Sequence, residues 1–346
     1  MGKYSLDAFE VHPLVKLRPV MTEPEADRYR LLELCQSELE PNSGELLTPP
    51  PVGEGKVILR LNVAKTTDIA DACGFIRRMG FCYEGGRRLT GVVMEEDAFS
   101  GAELNQLVQA YCQGFEDTYL LAEPGTKLAE ICSRASVSFG LWLPLERGIL
   151  PLRRSIGRSN LARNWESCPV YIWSGRELTG EELDAARRWH ASGADVPATL
   201  GARMTLRRMM FPRDLTSGGV MPLRMWWQNI GTAPVYEDIR VRLVLKNSEE
   251  QFSAAVPGTM GPGLGDTTFN EAALLPQIPC DTYGLWVGLE TDRGSLTLAM
   301  DAPAEDGLYH IGEITLDDAP RPYLRTMWED QYADGYYPLE DPAQPE

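Results

Sequence analysis

The chain predicts an α/β region followed by an all-β region: a small or degenerate TIM-type (β/α) barrel, then an antiparallel β-sandwich. Three observations lead there. Apolar strand-like runs alternate with amphipathic helical patterns roughly seven times between Tyr29 and Met204, which implies a parallel sheet with covering helices. After Leu206 the helical period disappears, and short strands separated by Gly- and Pro-containing loops take over. Beyond Pro320, acids interleave with Tyr323, Trp328, Tyr332, Tyr336 and Tyr337. The expected divisions are residues 1–204, 205–320 and 321–346, the last an acidic aromatic tail.

Residues 1–27 carry no sustained period and read as an irregular lead-in. Tyr29 to Cys35 is a first apolar strand. Thr48 to Gly55 is loop, because consecutive prolines offer no ladder donors. Lys56 to Asn62, KVILRLN, lacks alternation, as a strand covered on both faces does. Ile69, Ala72, Cys73, Ile76 and Met79 recur at helical spacing, with Gly80 as the expected stop. The strand Leu89 to Met94 runs into Glu95, Glu96 and Asp97, after which Ser100 and Glu103 form a capping box. That helix presents Leu104, Leu107, Val108 and Tyr111 on one face. Tyr119 to Ala122 is a short strand ending at Glu123. Leu128, Ile131 and Cys132 mark a helix, and Val137 to Leu143 a strand. Glu146 to Glu166 reads as an arginine-rich loop with a helical turn. Cys168 to Trp173 is a strand, Thr179 and Glu182 cap a helix through Leu183 and Ala186, and Val196 to Met204 is the expected closing strand. This is short beside the about 250 residues of a typical (β/α) barrel, so some helices are expected to be short or missing. An open doubly wound sheet is the structural alternative.

In the all-β part the clearest stretch is Leu223 to Asn247. Ile239, Val241, Leu243 and Leu245 share one strand face, Arg240 and Arg242 the other, and Asn229, Gly231 and Pro234 supply turn chemistry between two strands. Trp226 and Trp227 are adjacent, so only one of them can enter a core. Trp227, Asn229, Gly231, Ala233, Pro234, Tyr236, Leu243 and Leu245 spell WxNxGxAPxYxxxxxxLxL, which resembles the opening of the domain of unknown function 4832 family. That resemblance implies a C-terminal β-sandwich behind a glycosidase-like (β/α) barrel of bacterial type. The turn Glu38 to Gly44 is similar to the one after the first strand of many such barrels.

With 346 residues, 43% hydrophobic and 24% charged, the composition is that of a globular protein. A net charge of −17 speaks against a nucleic-acid partner. Charge is uneven: twelve acids face two arginines from Asp301 on, whereas twelve arginines face six acids between Arg147 and Arg213. No run reaches the about 18 to 20 apolar residues of a membrane helix, and the start lacks a leader pattern, so the chain reads as cytoplasmic, or as secreted if a leader was removed. Seven cysteines without CxxC spacing read as reduced thiols, mostly buried, Cys112 and Cys132 among them. Three dispersed histidines suggest no metal site, and no cofactor is expected. The run Gly261 to Gly265 lacks the Lys-Ser/Thr of a phosphate loop, and neither GxSxG nor HExxH occurs. Oligomeric state is not legible.

In a (β/α) barrel the functional side chains stand at the C-terminal strand ends. That rule selects Arg60, Glu95, Glu96, Asp97, Glu123, Trp142 and Trp173. Glu96 or Glu95 is the candidate acid/base, with Glu123, Glu146 or Glu177 as a second carboxylate; Arg60, Asp97, Trp142 and Trp173 are the candidate sugar contacts. Acids after strands also serve as ordinary helix-start residues, and tryptophans as core. The fold resemblance places the acid at the end of a fourth strand and the nucleophile at the end of a seventh. Glu95 and Glu96 end the third strand counted here, and with one strand added upstream the seventh becomes Pro169 to Gly175, which holds no carboxylate. The leading expectation is therefore a carbohydrate-associated protein with a reduced, non-catalytic barrel that takes an oligosaccharide or glycoconjugate. An active glycoside hydrolase using Glu96 or Glu95 is the second, and an interaction module without a sugar ligand the third.

Overall fold

The computed structural model describes residues 28–39, 50–51, 55–63, 68–84, 89–94, 99–261 and 263–319. The expected lead-in, the acidic tail and much of the 38–44 and 48–55 loops lie outside these residues. The chain divides into an α/β unit, running to Ala202 and including Gly231–Tyr236, and an all-β unit built from Arg203–Ile230 and the residues from Glu237 on.

The α/β unit holds seven strands: β1 (Tyr29–Cys35), β2 (Lys56–Asn62), β3 (Leu89–Met94), β4 (Tyr119–Ala122), β5 (Phe139–Pro144), β6 (Val170–Trp173) and β7 (Gly193–Ala194). They lie side by side in chain order, every pair parallel. A doubly wound sheet reverses its order at a switch point; this one never does, so its winding is that of a curled half-barrel rather than a doubly wound sheet. The sheet curls until Arg28, just before β1, forms a parallel bridge with Ala194 of β7. Arg28 Nε also donates to the Asp195 carbonyl at 3.2 Å, and the Tyr29 hydroxyl to that of Ile172 at 2.6 Å. Among the described residues a single bridge, rather than a ladder, joins the two edges.

A one-turn α1 (Gln36–Leu39) follows β1, and the crossovers carry α2 (Ile69–Tyr83), α3 (Gly101–Gly114), α4 (Lys127–Arg134), α5 (Ile149–Arg158) and α6 (Gly180–Arg188). Period-2 geometry splits each strand between two cores. Val57, Leu59, Leu61, Leu120, Leu141 and Ile172 face the helices. Tyr29, Ile58, Leu121 and Tyr171 cluster on the inner face, with Trp142 and Trp173 packed against them. Both capping boxes form as the sequence predicts, Ser100 with Glu103 and Thr179 with Glu182.

Four sequence expectations change. Gly80 does not end α2; a Cβ there would stand 2.2 Å from the Gly114 carbonyl oxygen, so the glycine lets α2 and α3 touch backbone to backbone. The region after β5 is a ten-residue helix rather than a loop: Gly148 precedes it at φ +84°, Pro151 sits in its first turn, and Leu152 and Ile156 are its buried stripe. The closing strand is Gly193–Ala194, and Met204 instead begins an antiparallel strand. Of the cysteines, Cys73, Cys132 and Cys168 are buried, but Cys82, Cys112 and Cys280 are exposed; Cys112 faces away from the Leu104–Leu107–Tyr111 stripe of α3.

The all-β unit contains β8 (Met204–Met210), β9 (Asp214–Thr216), β10 (Val220–Asn229), β11 (Arg240–Lys246), β12 (Gln251–Ala254), β13 (Gly265–Leu274), β14 (Thr282–Thr291), β15 (Gly294–Leu296), β16 (Ala304–Glu305) and β17 (Leu308–Asp317). One sheet has the order β13-β10-β8, the other β12-β11-β14-β17-β16, with β15 on β14 and β9 parallel to β17. Thus β10 and β11 belong to different sheets. Trp227 is fully buried, while Trp226 is half-buried and donates its indole N–H to Asp266 at 3.2 Å.

The segment between β10 and β11 belongs to the α/β unit. Thr232 accepts the Gly201 amide at 2.9 Å through its hydroxyl, donates to the Ala191 carbonyl at 2.8 Å, and its own carbonyl lies 2.9 Å from His190 Nδ1. Tyr236 donates to the Trp165 carbonyl at 3.0 Å, its hydroxyl lies 3.4 Å from that of Ser192, and its ring meets Tyr119 edge-on at 6.2 Å. Tyr119 opens β4, and Trp165 and Ser192 precede β6 and β7, so the segment seals the N-terminal edge of the curled sheet. Burial pushes the Tyr236 phenol well above its ordinary range.

Candidate site at the C-terminal strand ends

The inner face of the sheet changes character along its strands. Near their starts it is packed with Tyr29, Ile58 and Tyr171, and toward their ends it becomes polar and partly open. Register explains the polar pairs: Glu33 on β1 is the direct partner of Arg60 on β2, and their side chains meet at 3.2 Å. Two residues further along β2, Asn62 reaches Cys35 at 3.7 Å. Ala122, the last residue of β4, pairs with Leu141 on β5, which brings Glu123 out of the strand beside Trp142. The Glu123 side chain is only 15% exposed, and the Arg147 guanidinium holds it at 2.9 Å. Arg147 ends the 3-10 turn that follows β5; the arginines after it belong to α5 and the outer layer.

Trp142 and Trp173, on β5 and β6, come together on the inner face of the sheet. Their rings stack at 5.7 Å with 24° between planes, both half-buried. Tyr29 supports the pair from below, its ring 6.0 Å from Trp142 and 5.4 Å from Tyr171. The Tyr29 hydroxyl is raised well above its ordinary range, by burial first and then by the nearby Asp195 and Tyr171, so it acts as a fixed hydrogen-bond donor. The structure therefore joins Arg60, Glu123, Trp142 and Trp173 on one end of one sheet. Glu95, Glu96 and Asp97 lie outside the described residues. Glu146 is exposed in the 3-10 turn, and Glu177 is exposed before α6.

The described strands leave Glu95 and Glu96 after the third strand, and it is Glu123 that follows the fourth. The seventh strand is followed by Asp195, but both its oxygens are occupied: Oδ1 accepts the Ser174 amide at 2.8 Å and Oδ2 the Gly175 amide at 2.6 Å. Asp195 ties down the loop after β6. Sequence reasoning missed Glu33, Tyr29 and Asp195, because their roles depend on register and on curling. The single sequence signal was the alternation of Tyr29, Leu31 and Glu33 on one strand face. Among the described residues no group of three or more His, Cys, Asp and Glu side chains gathers as metal ligands do.

No family model and no curated protein matches the chain. Among solved structures, a family 39 glycoside hydrolase from Bacteroides cellulosilyticus WH2 is 10% identical, with 71% of this chain and 75% of that chain covered at a TM-score of 0.33. A β-glucosidase from Listeria innocua in complex with isofagomine is 11% identical, covering 87% of this chain and 48% of that one at 0.25. The CARDB domain of a Pyrococcus furiosus protein, bound to di-metal ions, is 12% identical over 33% of this chain and 93% of its own, at 0.20. This chain spans about half the length of the β-glucosidase. Likenesses this slight do not bear on activity, and the site stands on its own geometry.

Chemically, the strand ends offer aromatic faces framed by ion pairs. Aromatic rings suit the C–H faces of sugars, and carboxylates and guanidinium groups pair with hydroxyls. Glu33 and Glu123 each contact a guanidinium, and Asp195 contacts backbone amides.

Proposed function

We propose that the protein binds a neutral oligosaccharide at the C-terminal ends of the curled sheet, without hydrolysing it. The fold behind this reading is a reduced glycosidase-like barrel with an accessory β-sandwich, in keeping with the domain of unknown function 4832 resemblance. The stacked, half-buried Trp142–Trp173 pair carries the proposal. Neutral sugars fit better than uronic acids, because Glu33–Arg60, Glu123–Arg147 and Arg176–Glu182 are charge-balanced and the arginines of α5 sit on the outer layer. A glycosidase needs two carboxyl groups about 5 to 10 Å apart, one of them able to donate a proton. Asp195 is committed to backbone amides and Glu123 to Arg147, which favours binding over chemistry.

Titration of the full chain against neutral oligosaccharides tests it. Trp142→Ala and Trp173→Ala should each weaken binding roughly tenfold, since an aromatic stacking contact contributes about 1 kcal/mol or more. Glu123→Gln should change it little. No binding across the panel, or binding indifferent to both tryptophans, would remove the proposal. Turnover abolished by Glu95→Gln, Glu96→Gln or Glu123→Gln would replace it with hydrolysis.

A further inference from the structure

Outside the strand-end site, the helical layer has a gap. α2 packs on α3 and α3 on α4, yet α5 and α6 stand apart. A cavity of about 570 Å³ opens between them. Its floor is Leu141 and Val170, buried register partners on β5 and β6. Trp165 and Trp189 form its walls, and Trp165 is fixed by stacking on His190 at 3.6 Å. Gly157 of α5 faces it, and a Cβ there would meet nothing within 4 Å. Leu150, at the rim, is 62% exposed.

The rim also carries charge. Arg153 on α5 and Arg188 on α6 line the cavity from opposite sides, are both exposed, and make no hydrogen bond or ion pair with another described residue. Glu181 is the acid on the same rim, so the three leave one net positive charge. Pockets of about 300 to 1,000 Å³ lined by apolar and aromatic groups, with few polar ones, suit small molecules. A carboxylate is the planar partner that a guanidinium grips through paired N–H groups.

We propose that this cavity binds a small amphipathic monocarboxylate, its apolar body on the Leu141–Val170 floor and its carboxylate between Arg153 and Arg188. One net positive charge matches a monoanion rather than a phosphate dianion. The site is separate from the sugar site and does not depend on it.

Calorimetry of the full chain with decanoate, kept below its micelle concentration, decides the matter. Decanoate should bind one molecule per chain, decanol should bind more weakly, and decyltrimethylammonium should not bind. Arg153→Gln combined with Arg188→Gln should weaken decanoate roughly tenfold or more, and Gly157→Trp should block it by filling the cavity. Trp142→Ala should leave it unchanged. The two arginines are exposed, so their double variant keeps the fold and suffices if the tryptophan variant does not. Absence of decanoate binding, equal binding of the ammonium amphiphile, or affinity unchanged in the double arginine variant would overturn the proposal.

Discussion

Replacing Gly80 by alanine probes the contact that holds α2 against α3. The added Cβ would lie 2.2 Å from the carbonyl oxygen, 2.4 Å from the carbonyl carbon and 2.7 Å from the Cα of Gly114. Those distances fall far short of the about 3.5 Å at which carbon atoms rest. The atoms struck are backbone, so no rotamer change relieves the clash and the helices must separate. Separation loosens the fully buried Phe75, Ile76 and Met79 of α2 and Leu107 of α3. Overpacking of this kind costs about 1–3 kcal/mol, and the upper end applies here. Alanine returns about 0.5–1 kcal/mol of helix propensity. The net expectation is a loss of about 2–2.5 kcal/mol. Gly157→Ala is the matched control: it is also helical, has open space around its Cβ, and should gain about 0.5 kcal/mol from propensity alone. Urea unfolding followed by far-ultraviolet circular dichroism reads both, the helical signal reporting the α/β unit. A Gly80→Ala midpoint equal to or above wild type would refute the close-contact reasoning and restore the glycine as a simple helix stop.

Glu182→Gln removes a carboxylate held down to about 2, chiefly by its hydrogen bond from Arg176 and then by the Thr179 amide. A folded pKa below the ordinary 4.5 means that the stabilisation is complete above that pH and is lost as pH falls toward 2. The variant should therefore be about 1–2 kcal/mol less stable at pH 7, Arg176 being partly solvated, with the gap narrowing below about pH 4.5 and closing only toward pH 2; a gap of constant size across urea midpoints at about pH 7 and about pH 2 would contradict this. Thr232→Val removes a hydroxyl shared by the Gly201 amide and the Ala191 carbonyl, which still bond each other at 3.0 Å, and should lower α/β-unit stability by about 1 kcal/mol in thermal unfolding. Tyr29→Phe keeps the tilted and edge-on ring contacts and loses the hydrogen bond to Ile172, for about 1 kcal/mol in the same assay. An unchanged melting temperature in either variant would show that its hydroxyl contributes nothing net.

Much of the α/β unit was readable because its determinants are local. The apolar runs of β2 and β3, the Ser100–Glu103 and Thr179–Glu182 boxes, and the spacing of Leu104, Leu107 and Tyr111 each lie within a few residues of one another. The placement of Trp142 and Trp173 at strand ends was legible for the same reason, once parallel strands were assumed. What failed depends on distant partners. Gly80 looks like a terminator until Gly114 is opposite it. Three arginines hid the two-residue apolar stripe of α5, and a two-residue β7 is too short to show any period. The Glu33–Arg60 pair needs the register of two strands separated by a long loop. β13, with its run of Asp, Thr, Asn and Glu, offered no clear alternation.

The brief return of the chain at Gly231–Tyr236 has a consequence for how the polypeptide is made and divided. A fragment ending at Ala202 would lack the Thr232 groups that add bonds to Gly201, Ala191 and His190, and the Tyr236 ring that abuts Tyr119. During synthesis the parallel sheet cannot acquire its seal until β8, β9 and β10 have already left the ribosome, although chains tend to fold from the N-terminus as they emerge. The gene segment for the first unit is thus not a free-standing cassette. Any transplant, truncation or permutation has to carry GTAPVY with it, and the interleaved order in which the two units claim the chain makes their biogenesis one event.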